Sequence, residues 1–511
     1  MTADDQSETI AFLEHGNSAS GGASEVVRTH ISLVFLVADR AFKLKRAVRF
    51  PYLDFSTAER RRAACEAELE LNRRTAPGLY LAVRRIGRAA DGKLAFDGPG
   101  PLVDAVVEMR RFDQDGMLDR MAQRGALTPG VVTALAHRLA AFHRDAAVSQ
   151  DHGGASGISA VIEGNDRSLR ATSLVSPTEA ESLVQAFRWT LARHAGRLDA
   201  RRAAGRVRRC HGDLILRNIC LLDGEPTLFD CIEFDDALAT IDVLYDLAFL
   251  LMDLWHRDQR GLANLVLNRY LDECDETDGL VVLPLFMAIR ACIRAHVTAA
   301  QAAGLPTDQA TPLLQDARAY FDLAQSLLPE APPALLAVGG FSGSGKSTVA
   351  AALAAQLGPP PGARILSSDR IRKHLHGVAA TERLPASAYC AEVSERVYSA
   401  LRKQAAETLA AGWTVIADAV FDKPSERTAV EDVARAQVVP FLGVWLDAPS
   451  PILLARIAER RHDPSDATAS VLQQQLERSC GEIAWRRLDA QGGIAGTRDA
   501  ILSGLGWGGH E

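Results

Sequence analysis

No Cys-x-x-Cys pair occurs in the 511 residues, and the eight cysteines (Cys65, Cys210, Cys220, Cys231, Cys274, Cys292, Cys390 and Cys480) are scattered without a histidine-rich partner spacing. This excludes a zinc ribbon or a disulfide framework and predicts reduced, mostly buried thiols. No run of about eighteen apolar residues is free of charge, and the N-terminus "MTADDQSETIAFLEHG" is acidic where a secretory leader is basic and then apolar. The expected address is therefore cytoplasmic, with no membrane partner. A surplus of basic residues is also missing: 57 Lys and Arg stand against 64 Asp and Glu, a net charge of −7. From Ala331 onward the two classes number 19 each, so the excess of acid lies before it. Neither part is basic, which argues against nucleic acid as a partner, because binding a phosphate backbone needs a cationic face. Repeats and low-complexity segments are absent as well.

What remains is an ordinary globular composition, 47% hydrophobic and 24% charged, in a chain too long for one core. Two or three domains are expected. "LLPEAPPALL", Leu327 to Leu336, places three prolines after a long helical tract and just before an apolar strand, so Pro332 and Pro333 mark the join. The chain is read as a segment 1–28, a first domain 29–330 and a second 331–511. In the first, short apolar runs such as "ISLVFLV" and "LAVRRIG" come early and Ala/Leu/Arg-rich helices follow, predicting a small sheet-bearing lobe and a larger helical one. In the second, "LLAVGG", "ARILSS", "WTVIAD" and "FLGVWLD" alternate with helical tracts, the pattern of a parallel sheet wrapped by helices.

Two motifs carry chemistry. In "HGDLILRN", His211 to Asn218, the spacing from Asp213 to Asn218 matches a kinase catalytic loop, where the Asp takes or orients a hydroxyl proton and the Asn holds magnesium. "PTLFDCIEF" follows at hairpin distance and puts Asp230 at a strand end as a second oxygen ligand for a hard cation. These residues resemble the aminoglycoside phosphotransferase and choline kinase family, over roughly Thr29 to Ala324. The resemblance implies an α+β, protein-kinase-like bilobal fold and ATP-dependent phosphorylation of a small-molecule hydroxyl. Asp213 would be the base, with Asn218 and Asp230 on Mg²⁺. The sequence departs from protein kinases in reading Asp-Cys-Ile at Asp230, so activation-loop logic does not transfer.

An early strand should supply a lysine for ATP, and "RAFKLKRAV" offers Lys43 and Lys45 on one strand face; Lys43 is preferred and Lys45 is the alternative. Its acidic partner is sought in "CEAELELNRR", where Glu68 is chosen over Glu66 and Glu70. "VVEMRRF" resembles a hinge whose backbone around Met109 would meet adenine. No Gly-x-Gly-x-x-Gly loop lies near "THISLVFL" to cover the phosphates. In "AIRACIRAH", Arg290 and Arg294 share a helix face, and a surface ion-pair role is expected for them.

The second motif, "GFSGSGKS", Gly340 to Ser347, fits Gly-x-x-x-x-Gly-Lys-[Ser/Thr] in full, after an apolar strand and opening a helix. Its glycines let backbone N–H groups face the phosphates. Gly340, Ser342, Gly343, Ser344, Gly345, Lys346, Ser347 and Thr348 are the nucleotide-binding set, with Lys346 on the outer phosphates and Ser347 on Mg²⁺. Asp369 in "ILSSDRIRK" ends the next strand as a candidate base, followed by Arg370, Arg372 and Lys373. Asp418 in "TVIADAVF" is a candidate for the metal's outer shell. Arg456 and Arg460, four apart with Arg461 adjacent, could close over a transferring phosphate. This half, roughly Ala334 to Leu505, resembles P-loop small-molecule kinases such as gluconate kinase and adenylylsulfate kinase, and also zeta toxins. The resemblance implies an α/β P-loop NTPase fold, Asp369 as base and a lid around Arg456 to Arg461. Together the halves resemble a family of bacterial fusion proteins joining an aminoglycoside-phosphotransferase-like half to an ATP-binding half. The expected activity is a bifunctional kinase using ATP and Mg²⁺ on small-molecule hydroxyls. Alternatives are one active half beside a regulatory ATP-binding module, or a second half acting on a nucleic-acid 5′-hydroxyl or a nucleotide-sugar. Acceptors and oligomeric state stay open.

Overall fold

The structure is a computed structural model and describes residues 4–15, 25–29, 31–50, 53–459 and 464–504. It forms two compact units, residues 1–257 with 289–317, and residues 258–288 with 318–511.

The first unit begins with helix α1 (Ser7–His15) and strands β1 (Glu25–Arg28), β2 (Ser32–Val37) and β3 (Arg40–Lys45). Helix α2 (Ala58–Arg73) and strands β4 (Tyr80–Arg88), β5 (Leu94–Phe96) and β6 (Leu102–Arg110) complete a six-stranded antiparallel sheet ordered β1-β2-β3-β6-β4-β5. Alternation along β3 divides its side chains between two faces. Phe42 and Leu44 pack with Leu13 of α1, Phe35, Ile86 and Val106. Ala41 joins Cys65 of α2 on the other face, so Lys43 and Lys45 point the same way as Ala41, towards α2. Val37 pairs with Arg40, leaving a two-residue, glycine-free turn, Ala38–Asp39; Ala38 takes a left-handed φ of 50° there.

Helices supply the rest of this unit: α3 (Pro129–Asp145), α4 (Gly154–Arg170), and α5 (Pro177–Ala203), whose start is fixed by a capping box between Ser176 and Glu179. Strand β7 (Val207–Arg209) leads into the His211–Asn218 loop, the hairpin β8 (Ile219–Leu222) and β9 (Glu225–Leu228) follows it, and β10 (Thr240–Asp242) pairs back with β7. Helix α6 (Val243–His256) is buried over nearly its whole length. The small sheet lobe and larger helical lobe are as expected. Arg290 is not the surface ion pair expected of it. It is buried, donates to the Tyr245 carbonyl (3.2 Å) and stacks over the Tyr245 and Phe249 rings at 3.8 and 4.5 Å, because planar guanidinium can replace water by aromatic faces. The helical stretch Thr277–Ala302 is long and apolar enough to cross a membrane by composition, yet 67% of its apolar window is buried in the protein.

The second unit opens with helix α7 (Arg260–Glu273). Strand β11 (Leu335–Gly339) runs into the glycine-rich loop and helix α8 (Lys346–Ala354). Strand β12 (Arg364–Ser367), helices α9 (Ser368–Leu375) and α10 (Ala391–Ala410), strand β13 (Val415–Asp418) and helix α11 (Pro424–Ala436) come next. Strand β14 (Phe441–Asp447), helices α12 (Ser450–Ala458) and α13 (Ala469–Glu477), strand β15 (Arg486–Asp489) and helix α14 (Ile494–Gly504) close the chain. The sheet is parallel throughout, ordered β12-β13-β11-β14-β15. The four expected strands are all present, and β15, which has no apolar run, is a fifth.

The division between units differs from a single cut at the Pro-rich join. Helix α7, far upstream of Pro332, covers the open edge of β12. Asn264 and Asn268 donate to the Ala363 carbonyl (3.0 and 3.1 Å), the Ile365 N–H donates to Asn268 Oδ1 (2.7 Å), and Arg364 pairs with Asp272 at 2.7 Å. Side-chain amides thus satisfy the strand edge that a parallel sheet would otherwise leave bare.

Candidate active sites

In the first unit the buried face of α2 selects one glutamate. Arg61, Cys65, Glu68 and Asn72 recur at helical spacing and are buried, whereas Glu66 is exposed beside Arg62 and Glu70 is exposed. Lys43 Nζ lies 2.7 Å from Glu68 Oε1 and 2.5 Å from Asp230 Oδ1. Lys45 Nζ lies 2.5 Å from Glu68 Oε2 and also pairs with Glu233, a residue the sequence did not single out. The two lysines differ in access: the Lys43 side chain is 13% exposed and that of Lys45 1%. Burial opposes charge on Lys43, but Asp230 and Glu68 hold its ammonium well above the usual lysine range. Burial likewise pushes Asp230 up, yet Lys43 overcomes it and holds the carboxyl at about 2. Tyr80 accepts the Asp230 N–H (3.2 Å), and Asp230 itself sits at a φ of 64°, a strained conformation held by its surroundings.

Asn218 Nδ2 donates to the carbonyl and to Oδ2 of Asp213, both at 2.8 Å, so the two motif residues form one unit. The Phe229 N–H donates to the Asn218 carbonyl and the Ile232 N–H to the His211 carbonyl, both at 3.0 Å, which stitches the Asp230 segment to the loop. Two carboxylates from α6 hold the loop from below. Asp246 accepts the His211 N–H (3.1 Å) and the Gly212 N–H (2.9 Å) and lies 3.0 Å from His143 Nε2; Asp253 accepts the Leu216 N–H (2.9 Å). Burial would raise the Asp246 carboxyl, but its hydrogen bond to His143 keeps it near 2. The sequence reading missed both. Their signal was two acids two turns apart on one face of an otherwise apolar helix, where an uncompensated charge would be too costly. Met109 registers with both Ala41 and Tyr80, so its backbone lies inside the sheet; the chain leaves β6 only after Arg110, where the Arg111 N–H donates to Asp39 (2.8 Å).

In the second unit the loop and the strand ends enclose a cavity of about 1010 Å³, lined by Ser342 to Val349, Asp369, Asp418 and Arg456 among others. Gly343 has a φ of 86°, and a Cβ there would come within 2.5 Å of the Leu453 carbonyl oxygen, so only glycine lets the loop turn this tightly against α12. Gly340 and Gly345 also take positive φ. Lys346 Nζ donates to the Phe341 carbonyl across the loop (3.0 Å). Ser347 Oγ donates to Asp418 Oδ2 (2.7 Å), and burial pushes the Asp418 carboxyl up although Lys346 and Ser347 oppose it.

Asp369, on the first turn of α9, faces the same cavity. Arg370 does not: it reaches Asp272 of α7 (3.4 Å), and Arg372 donates to the Ala388 carbonyl (2.8 Å) and stacks on Tyr389. Lys373 is buried against Asp466 (2.6 Å), which also accepts the Tyr389 hydroxyl (2.6 Å) and the Leu384 N–H (3.0 Å). Arg456 reaches the Ala490 carbonyl (2.8 Å) at the rim of the cavity. Arg460 and Arg461 lie outside the described residues. Gln475 of α13, which the sequence reading passed over, accepts the Ser342 N–H (3.0 Å) and so ties the segment after Arg461 to the glycine-rich loop.

These two arrangements define a chain built of two kinase-type domains. A family model for the phosphotransferase enzyme family matches residues 38–280, and one described as an AAA domain matches residues 335–479. The chain is 31% identical over 484 residues to "Uncharacterized protein Rv2004c" of Mycobacterium tuberculosis H37Rv, with 92% of each chain covered, and equally to "Uncharacterized protein Mb2027c" of Mycobacterium bovis. It belongs to the family of these proteins, and joins a phosphotransferase-family half to a P-loop kinase half. Among solved structures, a gluconokinase from Sinorhizobium meliloti is 24% identical, covering 35% of this chain and 93% of its own, with a TM-score of 0.25. A choline/ethanolamine kinase family protein from Mesorhizobium loti is 14% identical, covering 63% and 98%, with a TM-score of 0.37.

Proposed function

We propose that the protein is an ATP-dependent kinase that transfers the γ-phosphoryl group to hydroxyls of small molecules, with an active site in each half. The observation that carries the reading is the Ser347–Asp418 hydrogen bond of 2.7 Å at the mouth of a helix-capping glycine loop, in a cavity that also holds Lys346 and Asp369. A loop that no Cβ at Gly343 could enter, and a buried carboxyl beside a hydroxyl, suit a triphosphate and a magnesium ion. Ser347 would ligate the ion directly and Asp418 from behind, Lys346 would reach the outer phosphates, Asp369 would take the acceptor's proton, and Arg456 would face the transferring group. When bound, the ion neutralises charge on the phosphoryl oxygens.

In the first half, Asp213 is the proposed base, Asn218 and Asp230 the proposed metal ligands, and Lys43, fixed by Glu68, the proposed phosphate-binding lysine. The Lys43–Asp230 pair supports this because it gathers cation and carboxylate at one point. Asp213→Ala and Lys346→Ala, each assayed for ATP turnover over a panel of sugars and alcohols, test the assignment. Each is expected to abolish a different activity, and unchanged turnover in both variants refutes it.

A second reading, in which the first half binds nucleotide without turnover, has its own support in the glycine-free Ala38–Asp39 turn. Calorimetric titration of ATP and Mg²⁺ into Lys346→Ala, followed by a turnover assay, separates the two. Binding that never leads to product in this variant favours the regulatory role.

A further inference from the structure

The short helical turn Leu216–Asn218 closes the motif loop of the first unit and sends its three side chains in different directions. Leu216 and Asn218 are buried, the first with its N–H on Asp253 (2.9 Å) and the second with its side-chain amide on Asp213 (2.8 Å). Arg217 between them is exposed over 44% of its side chain, and one guanidinium nitrogen lies 3.6 Å from Asp213 Oδ2. Among the described residues this is the sole ion pair of Arg217. The contact is longer than a hydrogen bond, so the N–H donors of the guanidinium stay available to a ligand. A pair this exposed contributes little to stability, and the fold does not depend on it.

The two oxygens of Asp213 are thereby made unlike. Oδ2 takes the Asn218 amide and faces Arg217, whereas Oδ1 accepts no hydrogen bond among the described residues. The other cations around the loop are committed elsewhere. Lys43 and Lys45 each pair with two carboxylates. Arg209 pairs with Asp236 (2.9 Å) and donates to the Ile232 carbonyl (3.0 Å), and Arg74 donates to the carbonyls of Arg209 (2.8 Å) and Cys210 (3.4 Å). No glycine lies between Ser32 and Lys45, so the hairpin that carries Lys43 offers no glycine-rich loop of the kind the second unit has after β11. In this half, donors for a phosphoryl group have to come from side chains.

We infer that Arg217 is a further catalytic residue of the first half, the cation that meets the phosphoryl group in transit. The inference rests on the kinase reading of this half, with Asp213 as base and Asn218 and Asp230 at the metal. The acceptor oxygen bonds to the γ-phosphorus as the bond from that phosphorus to the ADP oxygen breaks, and the hydroxyl proton passes to Asp213 and then to water. During this step negative charge is spread over the three equatorial oxygens of a group that lies next to Asp213. Arg217 is held beside the base by charge alone and keeps its planar fork of donors for those oxygens, a geometry that a guanidinium matches and a point charge does not.

Full-length Lys346→Ala, which removes the phosphate-facing lysine of the second half, is titrated calorimetrically with MgADP and with MgADP plus aluminium fluoride, a mimic of the phosphoryl group in flight. Aluminium fluoride should tighten the binding of MgADP. Adding Arg217→Ala should weaken the aluminium fluoride complex by at least about tenfold, while the affinity for MgADP alone changes less than about twofold and the melting temperature stays where it was. Arg217→Lys, which keeps the charge without the fork, should lie between. No tightening by aluminium fluoride, a complex in Arg217→Ala as tight as in its parent, or an equal loss for MgADP alone overturns the inference. The kinase reading of this half fails separately, if Lys43→Met in the same background leaves MgADP affinity intact.

Discussion

Asn268 of α7 and Ile365 of the edge strand β12, 97 positions apart in the chain, are joined by a hydrogen bond of 2.7 Å from the strand's N–H to the side-chain amide. The same amide donates to the Ala363 carbonyl and lies 3.2 Å from Arg364. Asn268→Ala leaves a buried strand edge without these partners and is expected to destabilise the second unit by about 1–3 kcal/mol. Urea unfolding followed through the buried Trp413 and Trp445 checks this, and an unshifted midpoint would mean that water replaces the amide at no cost.

Lys43 and Lys45 should separate function from stability. Lys45 lies fully buried between Glu68 and Glu233, so Lys45→Met leaves the buried Glu233 without its ion-pair partner, while Glu68 keeps Lys43, and should cost about 3–5 kcal/mol. In Lys43→Met, Glu68 keeps Lys45 as its partner, so the loss of stability is expected to be smaller, while the ATP use proposed for this half is expected to disappear. Thermal melts and ATP turnover of the two variants, compared side by side, decide it; equal melts would contradict the burial argument.

The Asp246 carboxyl gives a pH signature. Its folded pKa of about 2 lies below the ordinary 3.8, so its contribution to stability is complete above about pH 4 and fades as the pH falls towards 2. The full contribution is roughly 2 kcal/mol. Asp246→Asn should therefore be less stable than the parent at neutral pH and flatter between pH 4 and 2, as read by denaturant midpoints across that range. Parallel curves would show that the His211 and Gly212 amides do not depend on the charge.

Ser347→Ala removes the hydroxyl that meets Asp418 but leaves the loop's backbone amides in place. Nucleotide should still bind in EDTA, and the gain in affinity on adding Mg²⁺ should drop about tenfold. Calorimetry with and without the metal is the measurement. An undiminished magnesium effect would place the ion elsewhere.

Both motif loops were legible in the sequence because their spacing is itself the geometry. In Asp213–Asn218 and Gly340–Ser347 the residues that act together are neighbours in the chain, and local backbone turns bring them together. The choice of Glu68 over Glu66 and Glu70 had no such spacing behind it; burial along α2 is what turns Glu68 towards Lys43. Asp246, Asn268 and Gln475 were not legible, since each acts on a backbone group far away in sequence and its residue type alone is as common on a surface.

The sequence alone therefore determined the two kinase-type halves, the parallel sheet behind the glycine loop and the places of that loop's glycines, all consequences of short-range spacing and of which residues tolerate positive φ. Only the tertiary structure decided that Lys43 rather than Lys45 has access, that α7 belongs to the second unit, and that Asp422 and Glu426 line the same cavity as Asp369. Those outcomes depend on burial and on long-range pairing, which arise when strands and helices distant in the chain compete for the same hydrogen-bonding groups.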